Sequence, residues 1–188
     1  MTLVRGFKAQ AERDAVLFRK ELGLQPEEPL DLRRLADHLR VRIVSGERLL
    51  DRKRFEEVEA LQIGAFSAAT FQVRGNRIIV TNPMASVGRL NSDVAHELAH
   101  IVLNHELSEI RQIAGVPFRT CNPDEEEQAT ALGGTLLLPR PLLLAAVHQG
   151  LTKPEAVASR FRVSSRMASY RLHSTGVLAQ ARRGRPTT

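Results

Sequence analysis

Two histidines and a glutamate stand together at His96-Glu97-Leu98-Ala99-His100. On a helix, residues i and i+4 lie one above the other, so both imidazoles can reach a single ion. Zinc takes nitrogen, sulfur and carboxylate ligands and is usually tetrahedral. Two imidazoles therefore leave room for a third protein ligand and one water. Glu97 directly follows the first histidine and is placed to lean over that water and take its proton. The chemistry on offer is metal-assisted hydrolysis, in which an activated water attacks a polarised carbonyl.

These residues need a helix, and the flanking sequence supplies one. Asn91-Ser92-Asp93 reads as its start: Asn91 or Ser92 caps exposed backbone N–H groups, and Asp93 suits the positive end. Val94, Leu98, Ile101 and Val102 form its apolar side. His105, five residues after His100, lies further round than an i+4 partner and reads as structural. A third ligand must come from elsewhere. Pro123 and the acids Asp124, Glu125, Glu126 and Glu127 suit a second helix start. Its apolar positions continue through Leu132 and Leu136 to Leu138, and Pro139 stops it. The small residues Ala129, Gly133 and Gly134 would let it pack on the first helix. Successive helical residues differ by about 100° in direction, so one of Glu125, Glu126 and Glu127 can aim at the ion; spacing alone leaves all three open.

The rest of the chain reads as scaffold. Residues 5–22 have helical spacing in Phe7, Ala11, Ala15, Phe18 and Leu22, with Gly23 as a stop. Asp31 caps a second helix whose stripe is Leu32, Leu35, Ala36 and Leu39; His38 lies at its surface or core edge. Residues 41–44 read as a strand and 45–60 as loop or short helix. The strand-like runs 63–73 and 77–81, joined near Gly75-Asn76, read as a hairpin. Its edge either binds an extended peptide by strand addition or only supports the metal helix. Residues 106–121 connect. Thr152-Lys153-Pro154-Glu155 starts a helix to Phe161, with Thr152 as cap. After a break at 162–164, Ser164 or Ser165 caps a final helix to about 174, ended by Gly176. This pair is helix-turn-helix-like. On it, Arg166, Ser169, Tyr170, Arg171 and His173 are placed to face a partner. Tyr170, Arg171 or His173 are also candidates for stabilising an oxyanion.

Composition narrows the class. The chain has 188 residues, 43% of them hydrophobic, enough for a real core. No window reaches the roughly eighteen apolar residues of a membrane span. Residues 1–20 lack the apolar region of a signal peptide. The single cysteine, Cys121, has no internal disulfide partner and rules out a cysteine-based zinc ribbon. A cytoplasmic protein without membrane association is expected. The net charge of +6 permits contact with nucleic acid or an acidic protein without indicating either. Arg182, Arg183 and Arg185 read as a solvated tail.

The sequence also resembles a known family. Residues Asn91 through His100, and Glu126 through Leu136-Leu137-Leu138-Pro139, are similar to the two motifs of the ImmA/IrrE metallopeptidases. Arg5-Gly6-Phe7-Lys8-Ala9-Gln10-Ala11-Glu12 and Phe66-Ser67-Ala68-Ala69 also look like that family. Its second motif runs roughly E-x-E-A-N-x-F-A-x-x-L-L-M-P. Aligned on Pro139, the first glutamate falls at Glu126, the second at Gln128 and the asparagine at Thr130, so the last two positions depart. The resemblance implies Zn²⁺ held by His96, His100 and Glu126, Glu97 as general base, and Thr130 in support one turn on. It implies an α+β zincin-like fold of the gluzincin type, with a short hairpin sheet packed on the H-E-x-x-H helix. The expected layout is a peptidase core over 1–150, a helix-turn-helix-like extension over 151–178 and a basic, disordered tail over 179–188. The implied function is a regulatory endopeptidase that cuts one protein partner, a helix-turn-helix repressor, in a stress, mobile-element or toxin–antitoxin response. The rival from another class is a DNA-binding regulator with a structural or vestigial metal site. Glu97 argues against it, because a purely structural site needs no base and is usually closed by four protein ligands.

Overall fold

Small residues decide how the helices meet. The computed structural model describes residues 3–49, 51–61, 66–105, 110–113, 116–119 and 122–183. Helix α1 (Phe7–Glu21) turns the buried Ala11 and Ala15 inward. Helix α2 (Leu32–His38) starts as expected at Asp31, whose side chain accepts from the Arg33 N–H at 2.9 Å. Strand β1 (Val41–Ser45) follows, then a 3-10 turn (Gly46–Arg48) and helix α3 (Arg52–Leu61).

Strands β2 (Ala68–Val73) and β3 (Asn76–Thr81) form the hairpin, with Val73 opposite Asn76. The turn is Arg74-Gly75 rather than Gly75-Asn76. Both residues have positive φ, 50° and 79°, as a type I′ turn requires. Residues 62–65, the start of the expected first run, lie outside the described residues. β1 joins β3 in parallel, giving the order β1-β3-β2 and leaving β2 at one edge.

Helix α4 (Val87–Val102) carries the H-E-x-x-H motif and starts earlier than expected. Ser86, not Asn91 or Ser92, is its cap, accepting from the Arg89 N–H at 3.4 Å. Strands β4 (Ile110–Ile113) and β5 (Val116–Arg119) make a second hairpin in the connecting region; Cys121 lies outside the described residues. Helix α5 (Pro123–Leu137) is capped by Asn122, with proline in its first turn. Pro139 ends it but also stands at the cap of helix α6 (Arg140–His148), whose first turn holds Pro141, a position to which proline is well suited.

Helix α7 (Pro154–Phe161) is preceded by Lys153 at the cap, and the Thr152 side chain takes no capping role. Helix α8 (Ser165–Thr175) is capped by Ser164, which accepts from the Met167 N–H at 3.1 Å, and ends at Gly176 with φ 67°. The tail expected from 179 is helical as far as Arg183: helix α9 (Val177–Arg183) packs on α6, and its Val177 is fully buried in the core. Residues 184–188 lie outside the described residues. The fold is α+β. Among the described residues, no single helix is long and apolar enough to cross a membrane.

The core centres on α5, which contacts α4, α1 and α8. Its Ala129, Leu132, Leu136 and Leu137 are buried. Val157, Phe161, Val163, Ala168, Leu172 and Val177 from the C-terminal helices belong to the same apolar cluster. Truncating a fully buried leucine such as Leu132 to alanine is expected to cost about 2–5 kcal/mol.

Candidate metal centre

The metal helix is pinned near its start and again at its middle. Near its start, the Asn91 Nδ2 donates to the Arg162 carbonyl at 2.8 Å, and the Ser92 Oγ accepts from the Ser164 N–H at 3.0 Å. A Cβ on Gly88 would lie 2.5 Å from the Val163 carbonyl oxygen, so only glycine lets the 162–164 turn approach so closely. At its middle, α4 meets α5. A Cβ on Gly133 would stand 2.9 Å from the Ala95 oxygen, so glycine sets the distance between the helices that carry the site.

This packing brings His96, His100 and Glu126 together. His96 Nε2 lies 3.1 Å from His100 Nε2 and 3.1 Å from Glu126 Oε2, and His100 Nε2 lies 3.5 Å from Glu126 Oε1. Ligands about 2.0–2.1 Å from a tetrahedral zinc stand roughly 3.3 Å apart. The donor types and separations therefore fit a zinc ion bound by two nitrogens and one carboxylate, with a fourth position left for water. Among the described residues these three form the one cluster of metal-binding side chains. Glu125 and Glu127, the other acids open on spacing, are not in it. Hydrogen bonds from His100 and then His96 hold the Glu126 carboxyl well below the usual carboxylate range, against the opposing effect of burial.

Glu97 lies beside this cluster and is buried. Its Oε2 accepts a 2.5 Å hydrogen bond from the Thr70 hydroxyl of β2. Sequence reasoning missed Thr70, because nothing local links an inward-facing threonine on a strand to a residue 27 positions later. Thr130, expected to support the site, has its hydroxyl 3.5 Å from His96 Nδ1.

His105 departs from its purely structural reading. Its Nδ1 is 3.0 Å from His100 Nδ1, and its Nε2 is 3.3 Å from Gln128 Oε1. The i+5 argument fails because the helix has ended. Asn104 takes φ 54°, and the His105 N–H donates back to the His100 carbonyl at 3.0 Å. This Schellman ending folds the chain over its own last turn. Burial pushes the His105 imidazole below its ordinary value, partly opposed by the Gln128 hydrogen bond.

The three oxyanion candidates stand elsewhere. Arg171 is buried, donating through Nε to the Leu138 carbonyl at 3.0 Å and through Nη2 to Glu12 Oε1 at 2.6 Å. It touches α5 at Gly134, eight residues or about 12 Å along the helix from Glu126. Tyr170 lines a separate cavity with Lys8, Glu12 and Arg140. His173 is exposed and bonds the Ser169 carbonyl at 2.7 Å. Arg171 therefore ties α1, α5 and α8 together instead of facing a substrate.

Residues 56–173 match the model of a peptidase family described as the IrrE N-terminal-like domain. The chain belongs to this family. The matched span runs from α3 into α8 and takes in His96, Glu97, His100 and Glu126. The family is in general one of zinc-dependent metallopeptidases, which suits the donor set found here. None of the curated proteins matches the sequence. Among solved structures, a Mycobacterium tuberculosis transcriptional regulator matches with a TM-score of 0.54 and 17% identity, over 90% of this chain and 47% of that one. At that identity the likeness is one of fold. The chain spans about half the length of that protein.

Proposed function

We propose that this chain is a zinc-dependent regulatory endopeptidase that cuts one protein partner, a helix-turn-helix transcriptional repressor. The observation that carries the reading is the convergence of His96, His100 and Glu126 beside a buried Glu97. His96, His100 and Glu126 would hold a zinc ion, which would supply Lewis acidity for a bound water and a substrate carbonyl. Glu97 then takes the proton of the attacking water and delivers it to the leaving amine. The Thr70 hydroxyl fixes one carboxylate oxygen of Glu97, leaving the other to work. Thr70 also puts β2, an edge of the sheet, beside the site. An extended substrate segment can pair with that edge by main-chain hydrogen bonds. Regulation in a stress, mobile-element or toxin–antitoxin setting belongs to the same proposal.

The decisive experiment incubates the zinc-loaded protein with casein and with the product of any neighbouring repressor gene. Cleavage of the repressor at one position, lost in Glu97→Gln, is the expected result. Brisk digestion of casein overturns the selective reading. A second reading, a DNA-binding regulator, is favoured by the name of the structural neighbour and by the exposed Arg160, Arg162 and Arg166 around the α7–α8 turn. Against it, that turn is already engaged by α4 through Asn91, Ser92 and Gly88. Tight sequence-specific DNA binding without cleavage would favour it.

A further inference from the structure

We infer that His105 and Gln128 form a relay behind the metal centre that sets the tautomer of His100, His105 accepting from one imidazole nitrogen and donating from its other to an amide. The argument rests on the zinc reading of the site and on the positions of four nitrogens and one oxygen. His100 turns Nε2 towards His96 and Glu126 and Nδ1 towards His105. A histidine that ligates through Nε2 must keep that lone pair unprotonated, so its proton sits on Nδ1. At 3.0 Å the His105 Nδ1 must then accept, because two N–H groups cannot point at each other. An imidazole that accepts at Nδ1 carries its proton on Nε2, and that N–H lies 3.3 Å from Gln128 Oε1. The Gln128 side chain must present its oxygen rather than its NH₂. Each member of the chain thus has one permitted orientation once His100 binds through Nε2.

Metal-bound histidines generally place the second ring N–H on a carboxylate, carbonyl or water. Here an imidazole takes that place, and the Schellman ending of α4 delivers it. Gln128 stands on α5, two residues after Glu126, so one helix supplies both a ligand and the end of the relay. His105 and Gln128 are positioning residues, acting through His100 without touching substrate.

The test compares His105→Leu, which fills similar space without an acceptor, with His105→Asn, whose Oδ1 reproduces the Nδ1 acceptor in a smaller side chain. Zinc affinity is read by competition with a chromophoric chelator. His105→Leu is expected to bind zinc about 10- to 100-fold more weakly, the range for removing such a partner. His105→Asn should fall within a few-fold of wild type, and Gln128→Leu between the two. A packing role predicts the reverse order, with leucine the better replacement, and that order overturns the relay. Nitrogen NMR of the zinc-loaded wild type provides a second readout independent of the variants' folding. It should find His105 with its proton on Nε2 and His100 with its proton on Nδ1; a proton on His105 Nδ1 overturns the proposal. If wild type takes up no zinc, the metal reading fails and the relay with it. If wild type binds zinc and His105→Leu binds equally well, only the relay fails.

Discussion

The two ends of α4 use polar side chains in opposite ways. At the start, Asn91 and Ser92 are matched donor to acceptor with the 162–164 turn. The result is a joint. Four residues past Ser92, His96 begins a set in which imidazole nitrogens and a carboxylate face one another. These are lone-pair groups that satisfy each other only by holding protons, or a metal ion in their place. Polar sets that are already matched build structure, whereas sets of converging acceptors mark a site. Glu97 belongs to the second kind: a buried carboxylate with one oxygen held by Thr70.

The largest effect that tests this contrast is on chemistry. Glu97→Gln should lower peptide cleavage by about 10²- to 10⁴-fold, because an amide cannot take the water's proton. Metal content and melting temperature should remain those of wild type; residual cleavage within a few-fold would remove Glu97 as base. Next comes the metal itself. Glu126→Gln should lose the single zinc expected per chain, while Glu125→Gln and Glu127→Gln keep it, as elemental analysis would show. Equal losses in all three variants would mean that convergence at Glu126 is not what binds the ion.

At the joint the effect should be on stability alone. Ser92→Ala leaves the Ser164 N–H without its acceptor and should cost about 1–2 kcal/mol in chemical denaturation. Cleavage per zinc-loaded molecule should stay unchanged, and a selective fall in turnover would show that the two ends are not independent. The smallest effect is the acid response of the metal-free protein. The Glu126 carboxyl is held below its ordinary value, so its contribution is fully present above the ordinary range, about pH 4.3, and fades as pH falls through the lowered value. The melting-temperature difference between wild type and Glu126→Gln should therefore persist down to about pH 4 and shrink below it. A difference already gone at pH 5 would mean that the carboxyl is not held by the histidines.

Much of this was legible along the chain because the physics is local. The i, i+4 spacing of His96 and His100, the acidic start of α5, the Asp31 and Ser164 caps and the glycine ending α8 at Gly176 follow from geometry over one or two turns. Helix boundaries were less legible. Ser86 outcompeted Asn91 and Ser92 because those side chains had partners on a distant turn. Pro139 read as a stop, yet the residues after it were apolar enough to begin α6. Val177 drew the expected tail into α9 by finding a place in the core.

By itself, the sequence determined that two imidazoles and a carboxylate share a helix, that a second helix brings a run of acids, and that the whole resembles one peptidase family. Spacing within an element is set by backbone geometry, and residue types alone reveal it. Spacing left three acids open and the resemblance pointed to Glu126; only the tertiary structure showed that Glu126 meets the histidines, that Thr70 holds Glu97, that His105 turns back onto His100, and that Arg171 is a buried tie. All but the His105 contact depend on where two separate elements touch. The close approach of α4 and α5 at Gly133 sets the first and the chain reversal at Asn104 sets the turn of His105, and no periodicity along the chain encodes either.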